Sequence, residues 1–124
     1  MPVGRRPSGS AVIDASVLAA LRELANPGEP DALTEVVHLF LGDVPIQLAA
    51  LRTAIKSADA ASVRQLAHHL RGSALAIGAT GMAAACAVIE QRAGDQSLPE
   101  VVEEVDCLDR EFALVRRELE GVLQ

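Results

Sequence analysis

The sequence has no tryptophan and no tyrosine, and only two phenylalanines, Phe40 and Phe112. Its core must therefore be built from Leu, Val, Ile and Ala, a mixture that favours packed helices. It has no basic tract: eleven Lys and Arg stand against seventeen Asp and Glu, for a net charge of −6. Phosphate contacts dominate affinity for nucleic acids, so a chain of this kind is a poor nucleic-acid binder. There are two cysteines, Cys86 and Cys107, at no metal-like spacing. Free thiols in an intracellular protein are the expected state. No stretch resembles a signal peptide, since Met1 to Gly9 is short, polar and rich in Pro and Gly. There is no Gly-rich phosphate loop and no Mg2+-binding acidic cluster. Strand patterns and internal repeats are also missing. Gly72 to Ile89 carries no charge and is long enough to invite a membrane reading. It is mostly Ala, Gly, Ser and Thr, with Gly78 and Gly81 at its centre, so it reads as two core helices meeting at a turn.

What is present is helical periodicity. The length suits one domain with one core: residues 1–10 are expected to be a disordered tail, and residues 11–124 the domain. Asp14 is placed to cap a first helix, with Ile13 as its staple. Val17, Leu21 and Leu24 follow as a short apolar face, and Asn26-Pro27-Gly28 stops it. A second helix starts near Pro30-Asp31. Leu33, Val36, Val37, Phe40, Val44, Leu48, Leu51 and Ile55 form one stripe at spacings of three and four. Pro45 removes the bond to the carbonyl of Leu41, but the stripe stays in phase across it, which predicts one bent helix rather than two. Leu39 and Ile46 lie off the stripe and are expected against the first helix.

Asp59 and its neighbours offer capping groups for a third helix running to about Ile77, with Val63, Leu66, Ala67, Leu70, Ala74 and Ile77 inward. Gly78 is a natural stop. Thr80 is the expected cap of a fourth helix, whose inner face is Met82, Ala85, Cys86, Ile89 and Ala93. Ser97-Leu98-Pro99-Glu100 starts the last helix. Its stripe is Val101, Val105, Leu108, Phe112, Val115, Leu119 and Val122. The expected fold is all-α: an antiparallel four-helix bundle with a short additional N-terminal helix.

The third helix carries the chemistry. At about 100° per residue, His68 lies about 140° from the centre of the apolar stripe. Arg64, Arg71, Gly72 and Leu75 share its side, while His69 falls on the other flank near Ser62, Gln65 and Ser73. A neutral imidazole is a competent nucleophile toward phosphorus, and an arginine one turn on can screen and orient phosphoryl oxygens. Gly72 costs the helix about 1 kcal/mol against alanine. It sits beside His68 on the surface, where a missing side chain lets another protein bring its own active site close. Periodicity alone equally fits two ordinary surface histidines and a tolerated glycine. It does not suggest a metal site: adjacent histidines point about 100° apart, His38 is on another helix, and the inward Glu-x-x-His ligands of metal-binding bundles are missing.

The segment Ala67-His68-His69-Leu70-Arg71-Gly72-Ser73, followed by Gly78-Ala79, resembles the signature of the histidine-containing phosphotransfer (HPt) domains of multistep two-component phosphorelays. Leu39-Phe40-Leu41-x-Asp43-x-Pro45 and Cys86-x-x-Ile89-Glu90 resemble that family's flanking segments, and the likeness runs from about Ile13 to Gln124. It implies that His68 is the phosphorylated residue, on Nε2. Spacing agrees, because only His68 has a basic residue at +3 and glycine at +4. The family usually carries Lys where this chain has Arg71, which keeps the charge, adds a fork and is bulkier. In some members a Gln bonds the other imidazole nitrogen, and the matching residue is Glu90. A carboxylate there would hold the Nδ1 proton; it could equally be a solvated acid at a helix end.

The resemblance further implies a covalent phosphoryl carrier rather than an enzyme, with no kinase activity, nucleotide site, cofactor or metal of its own. Its partners would be response-regulator receiver domains, which would bring the Mg2+, and a sensor or hybrid histidine kinase. Arg64, Leu75, Leu41 and His38 are the candidate docking residues. A cytoplasmic monomer without nucleic-acid binding or membrane insertion is expected, either free-standing or excised from a larger kinase. The alternative is a bundle of the same fold that binds a response regulator as a scaffold or inhibitor without relaying.

Overall fold

The computed structural model describes residues 12–24, 28, 31–95 and 98–123. Five helices follow in order: α1 (Ala15–Glu23), α2 (Ala32–Lys56), α3 (Ala60–Ile77), α4 (Thr80–Gly94) and α5 (Leu98–Val122). Helices α2 to α5 form the antiparallel four-helix bundle, and α1 is the short extra helix, set against α2 and α3. The tail expected at residues 1–10 lies outside the described residues, as do the punctuating residues Asn26, Pro27, Pro30 and Ser97.

Three aspartates start three of the helices. Asp14 accepts from the Ser16 N–H at 2.9 Å, and Asp31 from the Leu33 N–H at 3.1 Å. Asp59 accepts from the Ser62 N–H at 3.2 Å and from the Ser62 hydroxyl at 2.7 Å. The three backbone bonds each satisfy an N–H that the first helical turn would leave orphaned. Thr80 does not cap α4. The cap position is Ala79, which makes no side-chain bond, and Thr80 is the first helical residue.

The hydrogen bonds from the Ser62 side chain and backbone hold the Asp59 carboxyl below its usual range. A depressed folded-state value stabilises the protein above the unfolded value and loses that effect as pH falls through the folded one. Asp59→Ala is therefore expected to lower the melting temperature at neutral pH. The gap from the parent protein should close as pH is taken below about 3.9. Thermal melts followed by circular dichroism across that range check both halves; a gap that persists in acid would mean that the charged cap is not its origin.

The apolar stripes face inward. Leu33, Val37, Phe40, Val44, Leu48 and Leu51 of α2 are buried, as are Val101, Val105, Leu108, Phe112, Val115 and Leu119 of α5. Helix α2 runs without interruption through Pro45. By length and composition it could cross a membrane, but its stripe packs into the bundle. The stretch from Gly72 to Ile89 divides into the end of α3 and the start of α4, with Ile77, Met82 and Ile89 fully buried.

Four apolar residues depart from expectation. In α1 the buried residue is Leu18, while Leu24, the C-cap, is exposed. The helix ends at Glu23, so Leu24 falls past the last turn that reaches the core. Leu39 and Ile46 are 65% and 70% exposed and do not lie under α1. They sit on the outer side of α2, about 140–160° of turn from the centre of the buried stripe.

Gly78 ends α3 in the left-handed conformation, φ 83°. Its N–H donates to Leu75 O at 3.1 Å, and the next N–H, of Ala79, to Ala74 O at 2.8 Å, which closes the helix as a Schellman turn. The Gly78 carbonyl in turn accepts the Asp14 N–H at 2.8 Å, which ties the start of α1 to this corner. On the far side of the bundle, Phe40 of α2 and Phe112 of α5 pack with ring centroids 6.0 Å apart and planes tilted by 52°. The Arg52 guanidinium donates to both carboxylate oxygens of Asp109 along the same seam.

Candidate functional site

The seam between α3 and α4 positions the site. Ala67, Leu70 and Ala74 of α3 are buried opposite Met82, Ala85, Cys86 and Ile89 of α4. Small residues at these positions let the helices approach closely, so side chains on the outer edge of α3 reach those of α4. His68 projects from that edge with its side chain 64% exposed.

Glu90 of α4 meets it. The His68 Nδ1 and Glu90 Oε2 are 3.0 Å apart. A carboxylate only accepts, so this bond requires the proton on Nδ1. The neutral ring then carries its lone pair on Nε2. Arg71, one turn after His68, brings Nε to 3.6 Å from Glu90 Oε1, a charge contact rather than a hydrogen bond. The Oε1 atom is buried without a hydrogen-bond partner. Arg71 Nη2 also lies 3.3 Å from His68 Nδ1. With Nδ1 already donating to Glu90, two donors face each other there and no bond forms. The ion pair with Glu90 is thus what holds Arg71.

Gly72 is exposed, and a Cβ built on it meets nothing within 4 Å. The helix surface beside His68 is bare, as its place one turn away predicts. Arg64, one turn before His68, lines two adjoining grooves. One, of about 410 Å3, is shared with Ala61, Gln65, His68 and Glu90. The other, of about 500 Å3, is shared with Arg71, Ala87, Glu90, Gln91 and Gly94. Cys86, one turn before Glu90, is fully buried. Desolvation pushes its thiol up to about 12, so it is an inert packing group. Among the described residues no three His, Cys, Asp or Glu side chains gather as metal ligands would.

The structure brings His68, Arg71, Gly72, Glu90 and Arg64 together. Leu75 and His38 are exposed, Leu75 by 53%. Leu41 is partly buried against the core, and it is Leu39 beside it that stands out in solvent. Gln65, expected near His69, lines the His68 groove instead. Gln91 was not anticipated, although Ala87, Glu90, Gln91 and Gly94 recur at helical spacing and so share a face.

A family model described as "Hpt domain" matches residues 35–123. The chain belongs to the Hpt domain family. Solved structures of Hpt proteins superpose on it closely. Histidine-containing phosphotransfer protein B from Pseudomonas aeruginosa PAO1 is 27% identical with a TM-score of 0.84; the match covers 91% of this chain and 95% of that one. The histidine-containing phosphotransfer protein ZmHP2 from maize is 25% identical with a TM-score of 0.80, covering 91% of this chain and 88% of that one. A search of curated proteins finds no match. Membership in the Hpt family supports a phosphotransfer carrier role.

Proposed function

We propose that this Hpt protein accepts a phosphoryl group from an aspartyl phosphate of one receiver domain on His68 and passes it to the aspartate of another. The observation that carries this reading is the His68–Glu90 contact, which keeps the proton on Nδ1 and the lone pair on Nε2. That lone pair attacks phosphorus, the Nε2–P bond forms, and the bond from phosphorus to the donor aspartate breaks. Nε2 gives up its lone pair and the ring becomes cationic, with the Glu90 carboxylate against Nδ1–H to offset the new charge. The second transfer reverses these steps on the acceptor.

Phosphoryl transfer of this kind needs positioning and neutralisation more than covalent help from the protein. The receiver would supply the Mg2+ and the acidic pocket; this chain contributes the imidazole and a surface to dock on. Leu75, His38 and the exposed side of α2 are the proposed contacts. A monomer acting in the cytoplasm, between a sensor or hybrid kinase and a response regulator, fits the role.

Incubation with a radiolabelled phospho-receiver tests it. The chain should take up label that is acid-labile and alkali-stable, as a phosphoramidate is. Tight receiver binding with no label on this chain would instead favour a scaffold that does not relay. Gly72→Gln probes the docking surface. A side chain there meets open space and replaces a poor helix former, so the melting temperature should hold or rise while transfer from the receiver slows by about tenfold or more. Stopped-flow or quench kinetics check this, and unchanged kinetics would remove the glycine from the docking surface.

A further inference from the structure

The charges around His68 are not placed as a simple count suggests. Two arginines flank the ring, one turn to either side. Arg71 is held at the Nδ1 side: its Nε faces Glu90 at 3.6 Å and its Nη2 lies 3.3 Å from Nδ1. That is the nitrogen already protonated toward Glu90, and the phosphoryl group of the proposed reaction sits on the other. Arg71 and Glu90 also cancel one another, so the pair brings little net positive charge to a group carrying about −2.

Arg64 differs on each count. Among the described residues no carboxylate pairs with it. It lines one groove with Gln65, His68 and Glu90, on the N-terminal side of the ring, and its neighbour with Arg71, Glu90, Gln91 and Gly94. Its stem runs along α4: Arg64 Cδ lies 3.9 Å from where a Cβ on Gly94 would stand, an ordinary contact distance. An unpaired guanidinium on an open groove beside the nucleophile can turn its planar fork to two phosphoryl oxygens without breaking an existing bond. Arg71 breaks no hydrogen bond in turning either, but its charge already faces Glu90 at 3.6 Å, so less of it is left for the phosphoryl group.

We infer that Arg64, rather than Arg71, is the side chain that binds the phosphoryl oxygens of phosphorylated His68. The inference rests on the phosphocarrier reading above. In it Arg64 donates N–H bonds to two oxygens that do not bridge to nitrogen, while Arg71 positions Glu90.

The full-length chain can be phosphorylated by potassium phosphoramidate, a small donor that needs no docking. Nε2 attacks phosphorus, the donor P–N bond breaks, and ammonia leaves. A phospho-receiver serves as the second donor. The readout is a phosphorus NMR titration of the phosphohistidine itself. A cation against the phosphoryl group favours its dianion, so R64Q should raise the second phosphoryl pKa by about half a unit or more. R64K should recover part of the shift, because it restores the charge without the fork. R71Q/E90Q, which removes the ion pair as a unit, should move it less than half as far as R64Q.

An R64Q titration that overlays that of the parent overturns the inference, and slower transfer only from the receiver would then make Arg64 a docking residue. An R71Q/E90Q shift as large as that of R64Q overturns it as well. If the parent chain gains no phosphohistidine from either donor, the phosphocarrier reading fails, and this inference with it.

Discussion

His68→Gln is expected to abolish phosphoryl acceptance, while His69→Gln retains it. The two residues are adjacent and both exposed, yet only His68 faces Glu90 and lines its groove. Glutamine is a sharp test because its amide can still donate toward Glu90 while offering no nucleophilic nitrogen. The side chain is 64% exposed and fills no part of the core. Exposed substitutions of this kind usually change stability by about 0.5 kcal/mol or less, so a lost signal would be chemical rather than structural. The measurement is label transferred from a phosphorylated receiver, with melting curves for both variants. Label that survives His68→Gln and vanishes in His69→Gln would reverse the assignment.

Gly78→Ala is expected to be the most damaging single-methyl change in the bundle, and Gly72→Ala a mildly stabilising one. The two glycines are six residues apart, one ending α3 and one inside it. Gly78 has φ 83°, where a non-glycine residue costs about 1–2 kcal/mol. Its Cβ would also stand 3.0 Å from Val17 Cβ and 3.2 Å from the Asp14 carbonyl, both on the α1 side of the corner. A backbone atom cannot yield as a flexible side chain can, so strain and crowding add to about 2 kcal/mol or more. Gly72 is helical with open space around it, and alanine there should stabilise by about 0.5–1 kcal/mol. Chemical denaturation of both variants measures the two signs. Equal effects would mean that the corner relaxes and α1 is not tied to it.

Both glycines are placed by the sequence, one as a helix stop and one inside a helix; what the structure adds is what surrounds each. Long stripes such as Leu33 to Leu51 and Val101 to Leu119 are legible because 3.6-residue periodicity leaves one arrangement that buries them. Short elements are not. In α1 a single turn decides whether Leu18 or Leu24 reaches the core, and Leu24 loses because the helix stops before it. Leu39 and Ile46 looked like contacts for α1 because apolar residues away from a stripe ask for a partner; the structure leaves them in solvent. The turn after Ile77 was readable from Gly78, but α4 starts one residue earlier than a Thr80 cap would allow: Ala79 holds the cap position and Thr80 is already helical.

The site shows the same division. Helical angle alone sets His68, Arg71, Gly72 and Arg64 on one side of α3. Pairing across helices is another matter. That Glu90 reaches Nδ1 was one of two open readings, and the bond at 3.0 Å selects it for the structure. That Arg71 answers to Glu90 rather than to open solvent depends on the register of α3 against α4, which no spacing within either helix encodes.

The Phe40–Phe112 pair gives the protein an optical property of its own. With no tryptophan or tyrosine, near-ultraviolet dichroism and phenylalanine emission come from these two rings alone. Both rings are buried where α2 meets α5, and those helices touch over only a short stretch. The α3–α4 seam that carries His68 lies elsewhere and is spectroscopically silent. An unfolding experiment that monitors the rings therefore watches one side of the bundle open, while far-ultraviolet dichroism watches all the helices at once. If the two curves coincide, the molecule comes apart as a single unit; if the ring signal leads, the bundle unzips from the face opposite its histidine.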